Sequence, residues 1–460
     1  MWEWFLDLFA GFYAGNTTAS ASREVDNGLD RRQATSIAHA LRIEDWPFIR
    51  QRFVAPLRRL LLDSLFAKGF DFIRLTAGPL VDVEDPVITQ GWWTTTVILP
   101  MQFKRARLAA RITMLPSGGG LIGFRVHPEH TLGLGPKWQA PLYDSPTLYK
   151  EEHLALDAGG YKVKAVMTTP TTTQQYPCTI ILSGSGPCDV DSTVGPNKPL
   201  KDLSVGLAKC NVASIRFEKV TFAHGISIRN RKGFTLTEEY VPHALAAVRH
   251  AGRHPHVNDE TIVLVGHSLG AYITAKLASM DDSIRKCVLL ACPIRPIYHS
   301  AIKQFEYFAA MDDPSGQQVQ PQIEELRKQA ELADSPHLTG TTSPKDLPFG
   351  LGPAYWLDCR NYNPLQDITS CRKPVFCLQG GRDYQVTRED VDTFIDLAKD
   401  NPLLKCISYE DLNHLFISGM SPSTPLECET LGNVDEAVIL DIARWCHDDS
   451  VDVAALFRRP

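Results

Sequence analysis

The sequence predicts an α/β protein, in which a mostly parallel sheet is covered by helices on both faces and carries a helical insertion. A small α+β domain should precede it. From residue 178 onward, short apolar strands alternate with amphipathic helices, which is typical of a parallel sheet buried on both faces. Residues 94–126 instead follow a helical stretch and alternate with a period of two. One later strand runs directly into a Gly-His-Ser-Leu-Gly turn and then a helix.

The composition fits a globular protein with room for two or three domains. The chain has 460 residues, of which 44% are hydrophobic and 22% charged, with a formal net charge of −6. This charge, without a stripe of Lys and Arg, argues against nucleic-acid binding. The cysteines number eleven and form no Cys-x-x-Cys pair, so we expect buried thiols in a reducing compartment and no zinc site. We therefore expect a cytoplasmic protein without a metal or another cofactor.

Residues 1–31 should form a short N-terminal helix and a polar connector. The stretch Met1–Phe9 is aromatic but has no early Lys or Arg, and it is too short for a membrane span. We expect it to dock on its own domain or on a partner chain. Residues 32–127 should form the small α+β domain, with helices from Ala34 and strands at 94–101, 107–114 and 121–126.

The small domain shows no pairing of a nucleophile with a base, so we expect it to serve packing or dimerisation, giving a homodimer. A pocket that shapes the substrate is the alternative. Residues 128–150 are rich in Pro and Gly and should form a linker. The catalytic domain should then span residues 151–460 and open with a hairpin around Gly159 and Gly160.

The catalytic domain should contain six further strands and five regular helices. The predicted strands are residues 178–182, 212–217, 261–265, 286–291, 374–378 and 404–409, and the predicted helices are residues 200–209, 237–251, 271–280, 388–399 and 434–446. Residues 293–363 interrupt this alternation with two amphipathic helices and Gly/Pro loops. A long insert of this kind is more often functional than inert, so we predict a lid over the site.

Ser268 is the predicted nucleophile because it stands at the apex of the turn between strand and helix. In this Gly-x-Ser-x-Gly pattern, Gly266 and Gly270 remove side chains that would collide with neighbouring elements. The serine hydroxyl can then project from the turn. The five-residue pattern recurs by chance, but its position between a buried strand and a helix makes it specific.

A serine hydroxyl needs a general base at neutral pH, and the base needs an orienting carboxylate. In this architecture the acid and then the base follow the nucleophile along the chain. Asp383 lies on a glycine loop just past one predicted strand, and His414 lies just past the next. Both should therefore meet Ser268 at the carboxyl edge of the sheet. The alternatives are Asp411 and Glu389 for the acid and His224 for the base.

Backbone N–H groups should stabilise the oxygen that becomes negative during attack. We expect one from Leu269, the residue after the nucleophile. The second should come from the glycine-rich loop at residues 183–187, where Ser185 is the first choice and Gly186 the second. His267 adjoins the serine and should pack beneath the turn.

A set of motifs links these residues to a known family. They are Ser183–Pro187 with Asp189 and Asp191, Gly195–Pro199, Gly266–Gly270, Tyr355–Asp358, Leu378–Gly380, Arg382–Thr387 and Leu412–Phe416. With them, residues from about 150 to 446 resemble α/β-hydrolase-fold esterases of the serine-aminopeptidase-like group. The small domain is similar to cone-shaped α+β domains of the cystatin and nuclear-transport-factor (NTF) type.

The resemblance implies a carboxylic-ester hydrolase that uses Ser268, Asp383 and His414. The residues we expect to contact the substrate are His267, Tyr384, Tyr355 and Trp356. Two motifs depart from the family pattern: Cys188–Asp191 stands where Gln-Asp-Arg-Asp is usual, and Phe217–Val220 stands where Tyr-Asp-Lys-Arg is usual. The two missing arginines would normally organise the rim of the site, so the departures concern the substrate and not the triad.

Three functions are compatible with these residues. The first is a serine hydrolase that cleaves a small-molecule carboxylic ester or thioester through an acyl-enzyme. The second is acyl transfer, thioester release from a carrier, or a condensation or cyclisation step in a small-molecule biosynthetic pathway. The third is a ligand-binding protein that retains the triad without turnover. Products formed with competing nucleophiles separate the first two, and covalent labelling by a fluorophosphonate would argue against the third.

Overall fold

The computed structural model describes residues 28–457 except 230, 232, 313–319, 421 and 448–451. The predicted helix at Met1–Phe9 lies outside the described residues. The first domain consists of helices α1 (Gly28–Arg42), α2 (Trp46–Gln51), α3 (Ala55–Leu60) and α4 (Asp63–Ala77), and of strands β1 (Leu80–Val83), β2 (Val87–Gln90), β3 (Thr95–Phe103), β4 (Arg107–Met114) and β5 (Leu121–Pro128).

These strands form an antiparallel sheet in the order β1-β3-β4-β5, and β2 also pairs with β3. The arrangement agrees with the predicted α+β unit, although β1 and β2 were not expected. Helix α1 begins at Gly28, earlier than the apolar spacing from Ala34 indicated. Its first turn is tied to the sheet because the buried Asp30 carboxylate accepts hydrogen bonds from Thr95 Oγ1 at 3.0 Å and Gly118 N at 2.5 Å.

The second domain carries the larger sheet. Its strands are β6 (Tyr149–Ala158), β7 (Tyr161–Pro170), β8 (Tyr176–Leu182), β9 (Ala213–Phe217), β10 (Val257–His267), β11 (Ile284–Leu290), β12 (Val375–Gly380) and β13 (Leu404–Tyr409). Its helices are α5 (Pro199–Lys209), α6 (Val220–Ala223), α7 (Gly225–Arg229), α8 (Leu236–Ala251), α9 (Leu269–Ala278), α10 (Ile297–Asp312), α11 (Gln320–Asp334), α12 (Pro353–Cys359), α13 (Pro364–Cys371), α14 (Arg388–Asp400), α15 (Glu436–His447) and α16 (Val453–Phe457). Short 3₁₀ turns occupy Glu129–Leu132, Pro344–Asp346, Pro348–Gly350 and Pro425–Glu429.

The eight strands lie in the order β13-β12-β11-β10-β8-β9-β7-β6. All neighbours from β13 to β9 pair in parallel, whereas β7 pairs antiparallel with both β9 and β6. The second half of strand β10 is apolar because both of its faces are covered. Ile262 and Leu264 join the core on one face, and Val263 and Val265 join the core on the other. The predicted α/β class, with a mostly parallel sheet between helices, is confirmed.

Helices α10 and α11, within the predicted insert at residues 293–363, pack against the first domain. Phe305 of α10 and Ile323 of α11 share an apolar cluster with Leu75 of α4. The guanidinium of Arg105, in the turn after β3, also lies 4.7 Å from the ring centre of Phe308. The insert therefore bridges the two domains. In the part of the chain that the structure describes, no helix combines the length and apolarity needed to cross a bilayer.

Candidate active site

Ser268 occupies a strained turn between β10 and α9. Its φ of 53° and ψ of −118° lie in a region that residues with a side chain rarely adopt. The turn is tightly packed, because a Cβ added to Gly270 would lie 2.7 Å from the carbonyl oxygens of Leu182 and Ser183. The Ser268 amide is also held by the Leu290 carbonyl at 2.8 Å. The packing thus requires glycine at position 270 and fixes the serine at the end of β10.

Asp383 and His414 form a buried pair at the ends of β12 and β13. Nδ1 of His414 lies 2.7 Å from Oδ2 of Asp383, and the two side chains are 8% and 0% exposed. The other carboxylate oxygen accepts hydrogen bonds from the amides of Gln385 at 2.7 Å and Val386 at 3.0 Å. Gln379 Nε2 donates to Oδ2 at 3.0 Å. Asp383 is therefore held from both sides and can keep the imidazole in one orientation.

His267 lies beneath His414. Its Nε2 is 2.8 Å from the backbone carbonyl of His414, and the centres of the two rings are 4.8 Å apart. Burial, and to a smaller extent the neighbouring His414 ring, lower the pKa of His267 to about 3. His267 is therefore neutral and donates this hydrogen bond, which fixes the backbone that carries His414.

Ser268, His267 and His414 line one cavity that opens to solvent, and the empty space in and at the mouth of this cavity is about 950 Å³. Among the described residues, no hydrogen bond joins the Ser268 hydroxyl directly to His414. Catalytic hydrogen bonds are often long or poorly aligned without substrate. Two of the three predicted catalytic residues, Ser268 and His414, thus line one cavity, and the third, Asp383, lies behind it in contact with His414.

The predicted oxyanion loop lies next to Ser268. Gly184 and Ser185 line the cavity, and a Cβ built on Gly184 would be 3.3 Å from the Cβ of Ser268. Leu269 is the first residue of α9, so its N–H has no acceptor within the helix. Gly186, the second choice for the loop donor, is not among the residues that line the cavity.

Two of the predicted substrate contacts lie elsewhere. Tyr384 lines the cavity, but Tyr355 and Trp356 do not. Both are buried in the main core, where the Tyr355 hydroxyl donates to Glu239 at 2.7 Å and Trp356 packs edge-on against Tyr298 with ring centres 5.0 Å apart. The contacts observed for both residues are packing contacts, and their role as substrate contacts stays a prediction.

The alternative acids and base do not reach the cavity. Glu389 is exposed on α14 and pairs with Lys303 and with Arg295. Neither Asp411 nor His224 is among the lining residues, and the His224 ring hydrogen bonds the Lys162 carbonyl at 2.7 Å. Throughout the described ranges, no group of three or more His, Cys, Asp and Glu residues could hold a metal ion.

Sequence reasoning missed one wall of the cavity. Ala106, Leu108 and His130 reach it from the first domain and the following turn, and Glu429 reaches it from the turn before α15. Burial raises the pKa of the Glu429 carboxyl to about 7, whereas nearby His130 lowers it in part. These residues come from segments far apart in the chain, and no local pattern marked them.

Comparison with known proteins finds similar sequences. Residues 243–347 match the family described as BAAT / acyl-CoA thioester hydrolase C terminal. The esterase EstD of Thermotoga maritima is 29% identical over 347 residues, which cover 75% of this chain and 78% of EstD.

Two solved structures are also similar. Est1E from Butyrivibrio proteoclasticus has a TM-score of 0.42 at 17% identity, covering 64% of this chain and 98% of Est1E. A puromycin-hydrolysing peptidase of Mycobacterium tuberculosis has a TM-score of 0.43 at 14% identity, covering 80% of this chain and 48% of the peptidase.

The sheet order and the serine turn define an α/β-hydrolase fold. With the family match and the EstD relative, they place the chain among the ester-cleaving hydrolases of this fold. The predicted resemblance to serine-aminopeptidase-like esterases is thereby confirmed. The cystatin or NTF-like character of the first domain stays a prediction.

Proposed function

We propose that the chain hydrolyses a small-molecule carboxylic ester or thioester through an acyl-enzyme on Ser268. His414 would act as general base and Asp383 as the orienting acid. The observation that carries the proposal is the buried 2.7 Å contact between His414 and Asp383, at the cavity that Ser268 enters from a strained turn.

The reaction uses these groups in sequence. Nε2 of His414 takes the proton of Ser268 as Oγ attacks the carbonyl carbon, and Asp383 stabilises the resulting imidazolium. The N–H groups of Leu269 and Ser185 receive the negative oxygen, and removing one such donor typically costs about 3 kcal/mol. His414 then gives its proton to the departing alcohol or thiol. Water attacks the acyl-enzyme by the same route and releases the acid.

The family match favours a thioester as a substrate to be tested beside simple esters. The matched family is described as an acyl-CoA thioester hydrolase C terminal, and its match spans the serine turn and part of the insert. A thiol is a better leaving group than an alcohol, so the same triad can serve both bonds. Parallel assays with acyl-CoA and p-nitrophenyl esters of equal acyl length would show which bond is preferred.

We propose separate roles for the parts of the chain. Residues 151–460 form the catalytic domain, and the insert at 293–363 acts as its lid. The first domain, residues 32–127, is joined by the linker at 128–150 and shapes the cavity. The contacts of Ala106 and Leu108 with the cavity, and of α4 with the insert, favour this role over packing alone.

Ser268→Ala tests the proposal. We expect kcat on short p-nitrophenyl esters to fall by roughly 10⁴- to 10⁶-fold, because the acyl-enzyme cannot form. Ser279→Ala is the matched control, since its exposed hydroxyl caps the end of α9 by donating to the Lys276 carbonyl at 2.6 Å, and activity should persist. Ester hydrolysis that survives in Ser268→Ala would refute the proposal.

Two further measurements separate the alternatives. A fluorophosphonate should label Ser268 in the intact enzyme, as read by mass spectrometry of the modified peptide, and should not label the alanine variant. Added alcohols or amines should not divert the acyl group from water. Diversion of most of the product to the added nucleophile would identify an acyltransferase instead.

A further inference from the structure

We propose that Lys219 and Tyr240 are positioning residues that hold the peptide between Gly184 and Ser185 in the orientation needed for an oxyanion hole. This inference rests on the proposed function of Ser268. It concerns side chains that lie behind the active-site loop and that do not touch the substrate.

Lys219 lies in the interior and uses all of its hydrogen-bonding capacity. Its Nζ is 3.0 Å from the carbonyl oxygen of Gly184, 2.8 Å from the Tyr240 hydroxyl and 2.8 Å from Oε1 of Glu239. The Lys219 and Glu239 side chains are only 2% and 6% exposed. An ammonium group has three N–H donors, so these three acceptors account for every one of them.

The charge of Lys219 is balanced within the same cluster. Glu239 accepts a further hydrogen bond from the Tyr355 hydroxyl at 2.7 Å and one from Thr221 at 3.2 Å. A buried ion pair is tolerated only when its remaining donors and acceptors are satisfied. The cluster is therefore rigid, because moving any member would leave a buried polar group without its partner.

Tyr240 holds the loop from the same side. Its hydroxyl lies 2.8 Å from the carbonyl oxygen of Gly184 and 3.1 Å from that of Ser183, so its single proton is donated to one of these two oxygens at a time. Burial raises the pKa of Tyr240 well above its usual range, and the nearby Glu239 charge raises it further. The hydroxyl therefore stays protonated and remains a donor.

The direction of these contacts determines where the next amide points. In a trans peptide unit, the C=O of Gly184 and the N–H of Ser185 point in opposite directions. Lys219 and Tyr240 hold the carbonyl on the core side, so the Ser185 N–H is directed away from them. Ser185 and Ser268 both line the cavity, so we infer that this N–H points toward it.

The loop is also fixed at its far end. The backbone N–H of Lys219 donates to the Cys188 carbonyl at 3.0 Å, so one residue ties down both ends of the segment from Gly184 to Cys188. If the peptide rotated, the Gly184 carbonyl would face the developing negative charge and repel it. The cluster therefore contributes to the transition state through Ser185, with little effect on binding of the neutral substrate.

Tyr240→Phe tests this role, because it removes one hydroxyl and keeps the ring. The matched control is Tyr143→Phe, which removes a buried hydroxyl that donates to the Val434 carbonyl at 2.8 Å and does not line the cavity. We expect Tyr240→Phe to lower kcat by about 10- to 100-fold with KM within about twofold, which is less than the loss of an oxyanion donor itself. Tyr143→Phe should change neither constant.

Two readouts separate positioning from a structural role. Affinity for a trifluoromethyl ketone, which forms an oxyanion on Ser268, should fall by the same factor as kcat, whereas affinity for a substrate-like amide should not change. Thermal unfolding of both tyrosine variants gives the folded fraction, by which kcat is corrected. The paired change Lys219→Met with Glu239→Gln removes both buried charges together and should reproduce the effect of Tyr240→Phe.

The test of the positioning role can fail while the proposed function of Ser268 stands. If Ser268→Ala abolishes hydrolysis while Tyr240→Phe behaves like Tyr143→Phe, the positioning role is overturned and the proposed function stands. Equal losses of ketone and amide affinity would likewise overturn it. If the paired variant does not fold, the comparison of the two tyrosine variants decides alone.

Discussion

Asp383→Asn should remove almost all activity while leaving the fold nearly unchanged. The amide oxygen of the asparagine would take the place of Oδ1, which accepts hydrogen bonds from the backbone N–H groups of Gln385 at 2.7 Å and Val386 at 3.0 Å. The amide nitrogen would then replace Oδ2 and face Nδ1 of His414, which lies 2.7 Å from Oδ2. Gln379 Nε2, which donates to Oδ2 at 3.0 Å, would lose this one acceptor. A flipped amide would instead set its nitrogen against two fixed backbone donors.

The consequence is a change of tautomer in His414. Because the asparagine NH₂ donates, Nδ1 must accept, and the imidazole proton moves to Nε2. The nitrogen that should take the proton of Ser268 is then already protonated. In a triad of this geometry the change lowers kcat by about 10⁴-fold, or about 5 kcal/mol of activation free energy.

Steady-state hydrolysis of a short p-nitrophenyl ester measures the loss, and circular dichroism confirms that the variant is folded. Glu389→Gln is the matched control, because this exposed carboxylate also follows β12 but pairs with lysine and arginine on the surface. It should keep full activity. A loss in Asp383→Asn below about tenfold, or just over 1 kcal/mol, would refute the assignment of Asp383 as the orienting acid.

Two more predictions concern Gly270 in the turn that carries Ser268 and Glu429 in the wall of the cavity. Gly270→Ala should reduce the free energy of unfolding in urea by at least about 1–3 kcal/mol, since its Cβ would lie 2.7 Å from two carbonyl oxygens. Gly252→Ala is the control, and it should not reduce the free energy of unfolding because its Cβ would meet nothing closer than 3.7 Å. Equal urea midpoints of unfolding for both variants would contradict the packing argument. For Glu429, whose pKa is raised to about 7 mainly by burial, ionisation as the pH rises through that value should raise KM for apolar esters. Glu429→Gln should abolish this step in KM between about pH 6 and 8, and an unchanged profile would exclude Glu429 from the binding wall.

The sequence predicted those features that depend on local pattern. The strands preceding Ser268 and Asp383 end in apolar, fully buried runs, and the edge strand preceding His414 keeps several apolar residues, so the ends of all three could be placed within a few residues. Parallel strands bring their carboxyl ends to the same edge, which is why the three residues were expected together. Their catalytic roles stay predictions until the variants are measured.

Features set by tertiary packing could not be predicted in this way. Tyr355 and Trp356 stand in a motif that also suits a substrate contact, and only the structure shows that both are buried in the core. Strands β1 and β2 are too short to establish an alternation. Leu108 fits the apolar pattern of strand β4, but that pattern does not indicate that its side chain also borders a cavity in the second domain.

The contacts of Lys219, Val220 and Cys188 explain the two departures from the family pattern. At Phe217–Val220, the lysine is retained and holds the Gly184 carbonyl, whereas the position usually taken by arginine is Val220, which is buried in the core. The Cys188 thiol lies 3.6 Å from the Ser185 carbonyl oxygen, so it contacts the backbone of its own loop. The residue that orients the loop is thus kept, while both positions where the family pattern has arginine, Val190 and Val220, are apolar here. A rim without these arginines has lost two cationic groups that could bind a carboxylate of the substrate, so we expect selection here to depend on the shape of the apolar cavity and on Glu429.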